Sequence, residues 1–231
     1  MFGRRRSEPA VAPVPWHGPE WFTVGTVARH GSLRRKDLTG PLAVRVPSTQ
    51  DGTRYYAPAA LVTASADETP SYRLHDATQP AVTVCVAVPE KGGARYRVTG
   101  AQGEELGLVL RTPAAKRAVQ HNWWLRQPGH PDVVARYHWA RGTARDVVER
   151  GKENVVRGAG AVVEGVVDSL LSFGAEDDSA GRPHTPKPVT WRANDEVALT
   201  SEQLGKVRAY MPKVDWLDRR LAFALAVLRQ A

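Results

Sequence analysis

The sequence predicts a mainly β protein: an antiparallel, closed or near-closed β-barrel of about twelve strands around a buried, hydrophobic C-terminal helix. Three observations predict this architecture. Four segments share a strand–turn–strand pattern, further strand-like runs precede them, and the chain ends in an apolar helical segment. A helix that is apolar on every side must be enclosed by other parts of the protein. A closed antiparallel sheet removes exposed strand edges and offers an apolar interior for such a helix.

Residues 1–19 are predicted to form a disordered, basic and proline-rich arm, and residues 20–231 a single barrel domain. The arm begins with a charge cluster, but a proline-broken stretch follows where a secretory signal would have an apolar run. The sequence also lacks an apolar run of the roughly 20 residues that a membrane span needs. We therefore expect a cytoplasmic protein without a transmembrane span, and peripheral attachment to a membrane stays open.

The first strands are predicted at 21–28 (WFTVGTVA) and 42–46 (LAVRV), which are rich in β-branched and aromatic residues. A polar, basic loop joins them. Residues 55–64 are ambiguous, because Pro58 weakens a central strand and leaves an edge strand or a short helix as alternatives.

Two of the four hairpins are predicted at 72–84 and 96–110, which share a Tyr-Arg-aliphatic opening, a turn-rich middle and an alternating aliphatic strand. Alternation with a period of two is typical of a sheet that has one buried face. The residues predicted to share a face are Val82, Val84 and Val86 at the end of one hairpin and just beyond it, and Leu106, Leu108 and Leu110 in the other.

The other two hairpins are predicted at 123–139, which turns at Gln-Pro-Gly, and at 189–200, which turns at Asn-Asp. The returning strand of the former alternates as the earlier hairpins do. The residues predicted on its shared face are Val133, Ala135, Tyr137 and Trp139.

A long amphipathic helix is predicted at 143–173, inserted before the last hairpin, and 174–188 is predicted to be the linker that returns from it. A glycine recurs every seven residues beside its apolar stripe and would let another backbone approach closely. Residues 143–178 carry eight carboxylates and four basic side chains, so protein is favoured over anionic lipid as the partner of this helix. The predicted partner-helix face consists of Val148, Gly151, Val155, Gly158, Val162, Gly165, Val166 and Leu170.

The last helix is predicted within 216–230 (WLDRRLAFALAVLRQ), where the run Leu221–Leu228 is apolar on all sides. This run is much shorter than the roughly 20 residues that cross a bilayer. We therefore predict that it forms the core of the barrel, with Leu221, Phe223, Leu225 and Leu228 buried.

We find no catalytic motif in the sequence and expect a non-enzymatic protein that carries no cofactor and no metal. The glycine runs complete neither a dinucleotide-binding nor a phosphate-loop motif, and GxSxG is absent. The seven histidines lack metal-ligand spacing. An enzymatic alternative would need His121 or His138 beside a carboxylate. Cys85 lies in a strand-like run and is predicted to be a buried, unreactive thiol that suits a reducing compartment.

The formal net charge of +8 suggests an anionic partner, although the Arg bias also suits a coding preference without functional meaning. Two basic clusters are the candidate anion contacts. Neither contains an aromatic residue, which disfavours nucleic acid as the partner. The candidates are Arg4, Arg5 and Arg6 on the arm, and Arg34, Arg35 and Lys36 in the first loop.

The hairpins YRVTGAQGEELGLVL and WWLRQPGHPDVVARY, together with the final WLDRRLAFALAVL, resemble the superfamily of tubby C-terminal-like barrels. This superfamily includes LURP-one-related proteins and phospholipid scramblases. The resemblance covers residues 72–228, interrupted by the predicted insertion. It implies a barrel of about twelve strands threaded by a hydrophobic helix, and functions that range from phosphoinositide binding to lipid scrambling. The sequence has neither a palmitoylation cluster of cysteines nor a calcium-loop pattern, which argues against scrambling. No site residue carries over from the superfamily individually.

Together these observations predict a non-enzymatic binding module that recognises anionic lipid headgroups or a protein partner through a basic barrel surface. One alternative is a self-assembling scaffold protein that forms homo-oligomers through the 143–173 helix. A further alternative is a basic protein associated with nucleic acid.

Overall fold

A computed structural model of the protein describes residues 11–32, 35–111, 123–135 and 188–230. Within these ranges the chain forms one antiparallel sheet in which every strand pairs with the next along the chain. The strands are β1 (Thr23–Arg29), β2 (Leu38–Gln50), β3 (Thr53–Ala64), β4 (Tyr72–Asp76), β5 (Thr83–Glu90), β6 (Arg95–Gly100), β7 (Glu105–Arg111), β8 (Trp123–Arg126), β9 (Val133–Ala135), β10 (Val189–Ala193), β11 (Glu196–Leu204) and β12 (Val207–Pro212), and the described helix is α1 (Arg219–Leu228).

The two ends of the sheet meet through Phe22 and Tyr210. The Phe22 amide donates to the Tyr210 carbonyl at 3.0 Å, and the Tyr210 amide donates to the Phe22 carbonyl at 2.7 Å. Their rings also stack, with centroids 5.5 Å apart. The sheet is therefore a nearly closed antiparallel barrel of twelve described strands, which confirms the mainly β barrel that the sequence predicts.

Helix α1 begins at a capping residue, Asp218, whose carboxylate accepts a hydrogen bond from the Arg220 amide at 2.8 Å. Every residue of Leu221–Leu228 is buried, and α1 contacts β1, β5, β6, β7, β8 and β12. The Phe223 ring lies nearly perpendicular to that of Phe22, with centroids 4.6 Å apart. Phe22, which directly precedes β1, thus packs on the helix.

Strand β3 forms despite Pro58, so the ambiguous stretch 55–64 is part of a strand. Pairing between β3 and β4 begins at Ala60, opposite Asp76, and Pro58 lies beyond the end of β4. A proline is tolerated there because β4 does not extend far enough to need its missing amide hydrogen. The Pro58 carbonyl instead accepts from the Val14 amide at 3.0 Å.

The predicted alternation of Leu106, Leu108 and Leu110 is wrong. Leu106 is buried as expected, but Val109 is the next fully buried side chain and the other two leucines are half-buried. The cause is a register shift in the pairing of β6 with β7, which falls between Glu105 and Gly107 and moves the later residues to the opposite face. A Cβ on Gly107 would lie 2.2 Å from the Arg126 carbonyl oxygen, so this bulge requires glycine.

A similar register shift between β4 and β5 affects the other predicted set. Val84 is buried as expected, but Val82 is 45% exposed and precedes β5, and Val86 is half-buried. The buried residues of β5 beyond the shift are Cys85 and Ala87. Bulges change the period of two locally, and the sequence pattern alone does not reveal them.

Several predictions fall outside the described residues. These are the helix at 143–173 with its partner face, nearly all of its linker, Tyr137 and Trp139. The predicted arm is described from residue 11 onward, and there Val14 and Trp16 pack against the core. No helix within the described ranges is long and apolar enough to cross a membrane.

Candidate functional site

The connection between β1 and β2 brings two of the predicted anion contacts to the surface. Arg35 and Lys36 are both exposed. The backbones of Ser32 and Arg35 exchange hydrogen bonds at 2.9 and 3.1 Å, which closes a tight turn. A Cβ on Gly31 would lie 2.2 Å from the Arg35 carbonyl oxygen, so the turn closes only around glycine. We call residues 29–32 and 35–37, together with Lys206, the basic turn.

A single carboxylate lies among the cations of the basic turn. Asp37 Oδ1 accepts from the Gly31 amide at 2.5 Å, and Asp37 Oδ2 lies 4.0 Å from His30 Nδ1. The Gly31 hydrogen bond, with the nearby charges of His30, Lys206 and Arg29, lowers the pKa of Asp37. Asp37 therefore stays ionised and holds the turn closed, while the cations outnumber it.

Aromatic side chains lie beside the basic turn. The His30 and Tyr56 ring centroids are 5.8 Å apart, and Tyr56 lies 6.4 Å from Trp21. The sequence cluster Arg34, Arg35 and Lys36 contains no aromatic residue. Tyr56 belongs to β3 and comes next to the basic turn only when the chain folds. The sequence argument against nucleic acid therefore missed the aromatic surroundings of this cluster.

The structure describes only some of the predicted site residues. Arg35 and Lys36 lie together on the basic turn. The remaining anion candidates, Arg4, Arg5, Arg6 and Arg34, and the whole partner-helix face lie outside the described residues. Lys206, from the β11–β12 turn, joins the site without having been predicted.

A cleft of about 410 Å³ opens at the start of α1, and sequence reasoning did not find it. We call it the α1 cleft. One wall comes from the N-terminal segment, and the other comes from the stretch that leads from β12 into the helix. Its lining residues are Trp16, Pro212, Lys213, Val214, Asp215, Leu217, Asp218, Arg219 and Arg220.

Two charged residues of the α1 cleft neutralise each other. Arg220 donates from Nε and Nη2 to the Asp218 carboxylate, at 3.1 and 2.8 Å to the nearest oxygens, and its Nη1 donates to Glu104 at 2.8 Å. Hydrogen bonding to Asp218, and then the charges of Asp218 and Glu104, raise the pKa of Arg220. The positive charge of Arg220 is therefore balanced within the protein by Asp218 and Glu104.

The other two cations of the cleft contact neutral atoms. Arg219 Nη1 donates to the Pro19 carbonyl. Lys213 Nζ lies 3.9 Å from Met211 Sδ and its side chain is exposed. Both residues thus keep a positive charge that can face a ligand.

The described part of the chain contains Cys85, the residue whose reactivity the sequence brings into question. Cys85 is fully buried, which confirms the predicted burial of this thiol, and burial raises its pKa to about 12. No group of three or more His, Cys, Asp or Glu side chains in this part could hold a metal ion. His121 and His138, named for an enzymatic alternative, lie outside it.

The resemblance to tubby-like barrels stays a prediction. No protein-family model, curated protein or solved structure matches the chain.

Proposed function

We propose that this protein is a non-enzymatic binding module that attaches to anionic lipid headgroups through the basic turn. The observation that carries the proposal is the surplus of cations around one carboxylate on an exposed and tightly closed turn. Arg35, Lys36 and Lys206 belong to this surplus, and Asp37 is the carboxylate.

The closed turn lowers the cost of binding. The Ser32–Arg35 backbone pair and the Asp37–Gly31 hydrogen bond fix the loop before a ligand arrives. A preorganised loop loses less conformational entropy when it binds. Each cation near an anionic membrane contributes about 1 kcal/mol, so a few cations give weak, reversible and salt-sensitive attachment.

We also propose that α1 lies in the interior of the barrel and forms its core. The outer surface and the loops would then carry the function. Support comes from the burial of Leu221–Leu228 and from contacts with strands on both sides of the meeting point of Phe22 and Tyr210. The Leu221 side chain also lies 3.1 Å from the place of a Cβ on Gly107 in β7. The apolar run of this helix, the eight residues Leu221–Leu228, needs such an enclosure.

Vesicle co-sedimentation tests the lipid proposal. The chain should sediment with vesicles of phosphatidylcholine and phosphatidylserine at low salt, and stay in the supernatant with phosphatidylcholine alone. Arg35→Gln combined with Lys36→Gln should weaken binding roughly 30-fold, since two cations are lost at about 1 kcal/mol each. A control with Arg54→Gln and Arg73→Gln, two exposed arginines on β3 and β4, should bind nearly as the unaltered chain does.

Equal losses in the two double variants would show that total charge matters and that the basic turn is not the site. A labelled single-stranded oligonucleotide serves as the competing ligand in the same assay. If the chain binds the oligonucleotide and ignores both vesicles, the lipid proposal is wrong and the basic turn, with Tyr56 beside its His30, serves nucleic acid. Self-assembly through 143–173 stays a separate prediction, tested by the mass of the chain in light scattering with and without residues 143–176.

A further inference from the structure

We propose that the α1 cleft is a binding site for a small amphiphilic anion, with an apolar body and one carboxylate, phosphate or sulfonate group. The site is separate from the basic turn and does not depend on the lipid proposal. Its residues come from the segment before β1, the end of β12, the link that follows it and the first two residues of α1.

The volume of the cleft and an apolar patch in its mostly polar lining suit the apolar body of such a ligand. A volume of about 410 Å³ lies in the range of small-molecule pockets. Trp16, Val214 and Leu217 supply aromatic and aliphatic wall atoms. Trp16 is half-buried, and its ring lies 6.4 Å from that of Phe223 in α1, so the barrel core backs this wall.

The charges of the cleft select an anion. Asp218 and Arg220 pair with each other, which removes one charge of each sign from ligand binding. Lys213 and Arg219 then remain as cations whose own contacts are to neutral atoms. Asp215 is the remaining carboxylate of the lining and is exposed. Two available cations against one carboxylate leave a positive balance for an anionic head group.

The helix terminus itself is not the anion contact. The Arg220 amide donates to Asp218 Oδ1 at 2.8 Å, and the Leu221 amide donates to the Asp218 carbonyl at 3.0 Å. These bonds occupy amides of the first turn that an anion at a helix N-terminus would use. Recognition therefore falls to the side chains of Lys213 and Arg219.

Two fluorescent dyes with the same aromatic body test the proposal on the full chain. 8-Anilino-1-naphthalenesulfonate carries a sulfonate, and N-phenyl-1-naphthylamine lacks it. We expect the sulfonated dye to bind at one site and to bind roughly tenfold more tightly than the neutral dye, since only the former pairs with the cations. Equal affinities for the two dyes would overturn the proposal.

Substitutions assign the site. Lys213→Gln with Arg219→Gln should raise the Kd of the sulfonated dye roughly tenfold and leave that of the neutral dye unchanged. The control, Arg35→Gln with Lys36→Gln, removes the same charge from the basic turn and should leave both Kd values within about twofold. An unchanged Kd for the sulfonated dye in the first variant, or an equal rise in the control, would overturn the proposal. The control also separates this site from the lipid proposal, because the same variant should lose vesicle binding.

Arg219 also bonds to the Pro19 carbonyl, so its substitution can affect folding. Lys213→Gln alone changes an exposed side chain and should weaken the sulfonated dye about threefold while the circular dichroism spectrum is unchanged. Trp16→Leu should weaken both dyes, since it removes the aromatic wall and keeps both cations. If neither variant changes the binding of the sulfonated dye, the cleft is not its site.

Discussion

The side-chain amide of Gln127 forms hydrogen bonds with two backbone groups just before helix α1, the Trp216 carbonyl and the Asp218 amide. Gln127 Nε2 donates to the Trp216 carbonyl at 2.6 Å, and Gln127 Oε1 accepts from the Asp218 amide at 2.8 Å. Gln127 directly follows β8, and Asp218 caps α1. One residue of the barrel wall thus fixes the position at which the helix begins.

Gln127→Ala should lower the free energy of unfolding by about 1–3 kcal/mol, because it leaves two partly buried backbone groups without a partner. Urea denaturation measures this loss. Gln203→Ala is a matched control, since Gln203 makes an exposed bond to the Gly205 carbonyl at 3.0 Å. It should cost less than about 0.5 kcal/mol. Equal losses of unfolding free energy in the two variants would show that the hydrogen bonds of Gln127 to the start of α1 do not stabilise the fold.

Arg45 is a buried cation held by backbone carbonyls. It is 1% exposed, and its guanidinium donates to the carbonyls of Gly25 at 2.8 Å, Pro41 at 2.7 Å, Tyr56 at 3.1 Å and Thr26 at 3.4 Å. Burial lowers the pKa of Arg45. The side chain joins β1, β2 and β3 where their pairing registers shift.

Arg45→Met should lower the free energy of unfolding by at least about 3 kcal/mol, since several carbonyls lose charge-assisted hydrogen bonds inside the protein. Arg45→Lys should recover part of the loss, because a lysine reaches fewer of them. Guanidinium denaturation measures both. Arg97→Met, at a side chain 47% exposed on the barrel surface, should have little effect. A stability of Arg45→Met close to that of the unaltered chain would contradict this role.

Leu225 tests the enclosure of α1. It is fully buried in the helix, so Leu225→Ala should cost about 2–5 kcal/mol through lost burial and a cavity. Leu225→Asp should prevent folding, because it places a carboxylate in an apolar interior. Circular dichroism and denaturation give both results. Leu204→Ala, at a leucine 37% exposed, is the control with a small expected effect. A folded and stable Leu225→Asp variant would show that α1 is not enclosed.

The buried thiol of Cys85 makes the free energy of unfolding depend on pH in a predictable direction. Its thiol pKa is about 12 in the folded chain, against a usual 9.0. The folded state therefore holds the proton more tightly, and this contribution is complete below about pH 9 and falls as the pH rises toward 12. Unfolding measured across this window should show a decline that Cys85→Ala reduces. Rapid reaction of the native thiol with Ellman's reagent at pH 8 would contradict the buried, protonated state.

The hairpins could be predicted because each one is local in sequence. The segments at 72–84 and 96–110 combine aliphatic runs with turn residues, and β4, β6 and nearly all of β7 form there, whereas β5 runs on from Thr83 to Glu90. Bulges such as that at Gly107 could not be predicted, since they arise from pairing with another strand. Strand β12 was missed, because Val207–Pro212 is short and lies beside the more prominent apolar run that forms α1.

The candidate sites were likewise predictable only where their residues are neighbours in the sequence. Arg35 and Lys36 are neighbours in sequence, so their cluster was visible, whereas Lys206 and Tyr56 join it only through folding. The α1 cleft was beyond reach, since Trp16 and the residues after Pro212 are nearly the whole chain apart. Spatial proximity of that kind follows from barrel closure, and single-sequence patterns do not encode it.

The most direct test of the proposed function is a salt titration of vesicle binding. The partition of the unaltered chain onto phosphatidylserine vesicles is compared with that of Arg35→Gln combined with Lys36→Gln as sodium chloride is raised. We predict a ratio of roughly 30 at low salt that falls toward one as the Debye length shortens from about 30 to 3 Å. A ratio near one at every salt concentration would contradict the role of the basic turn.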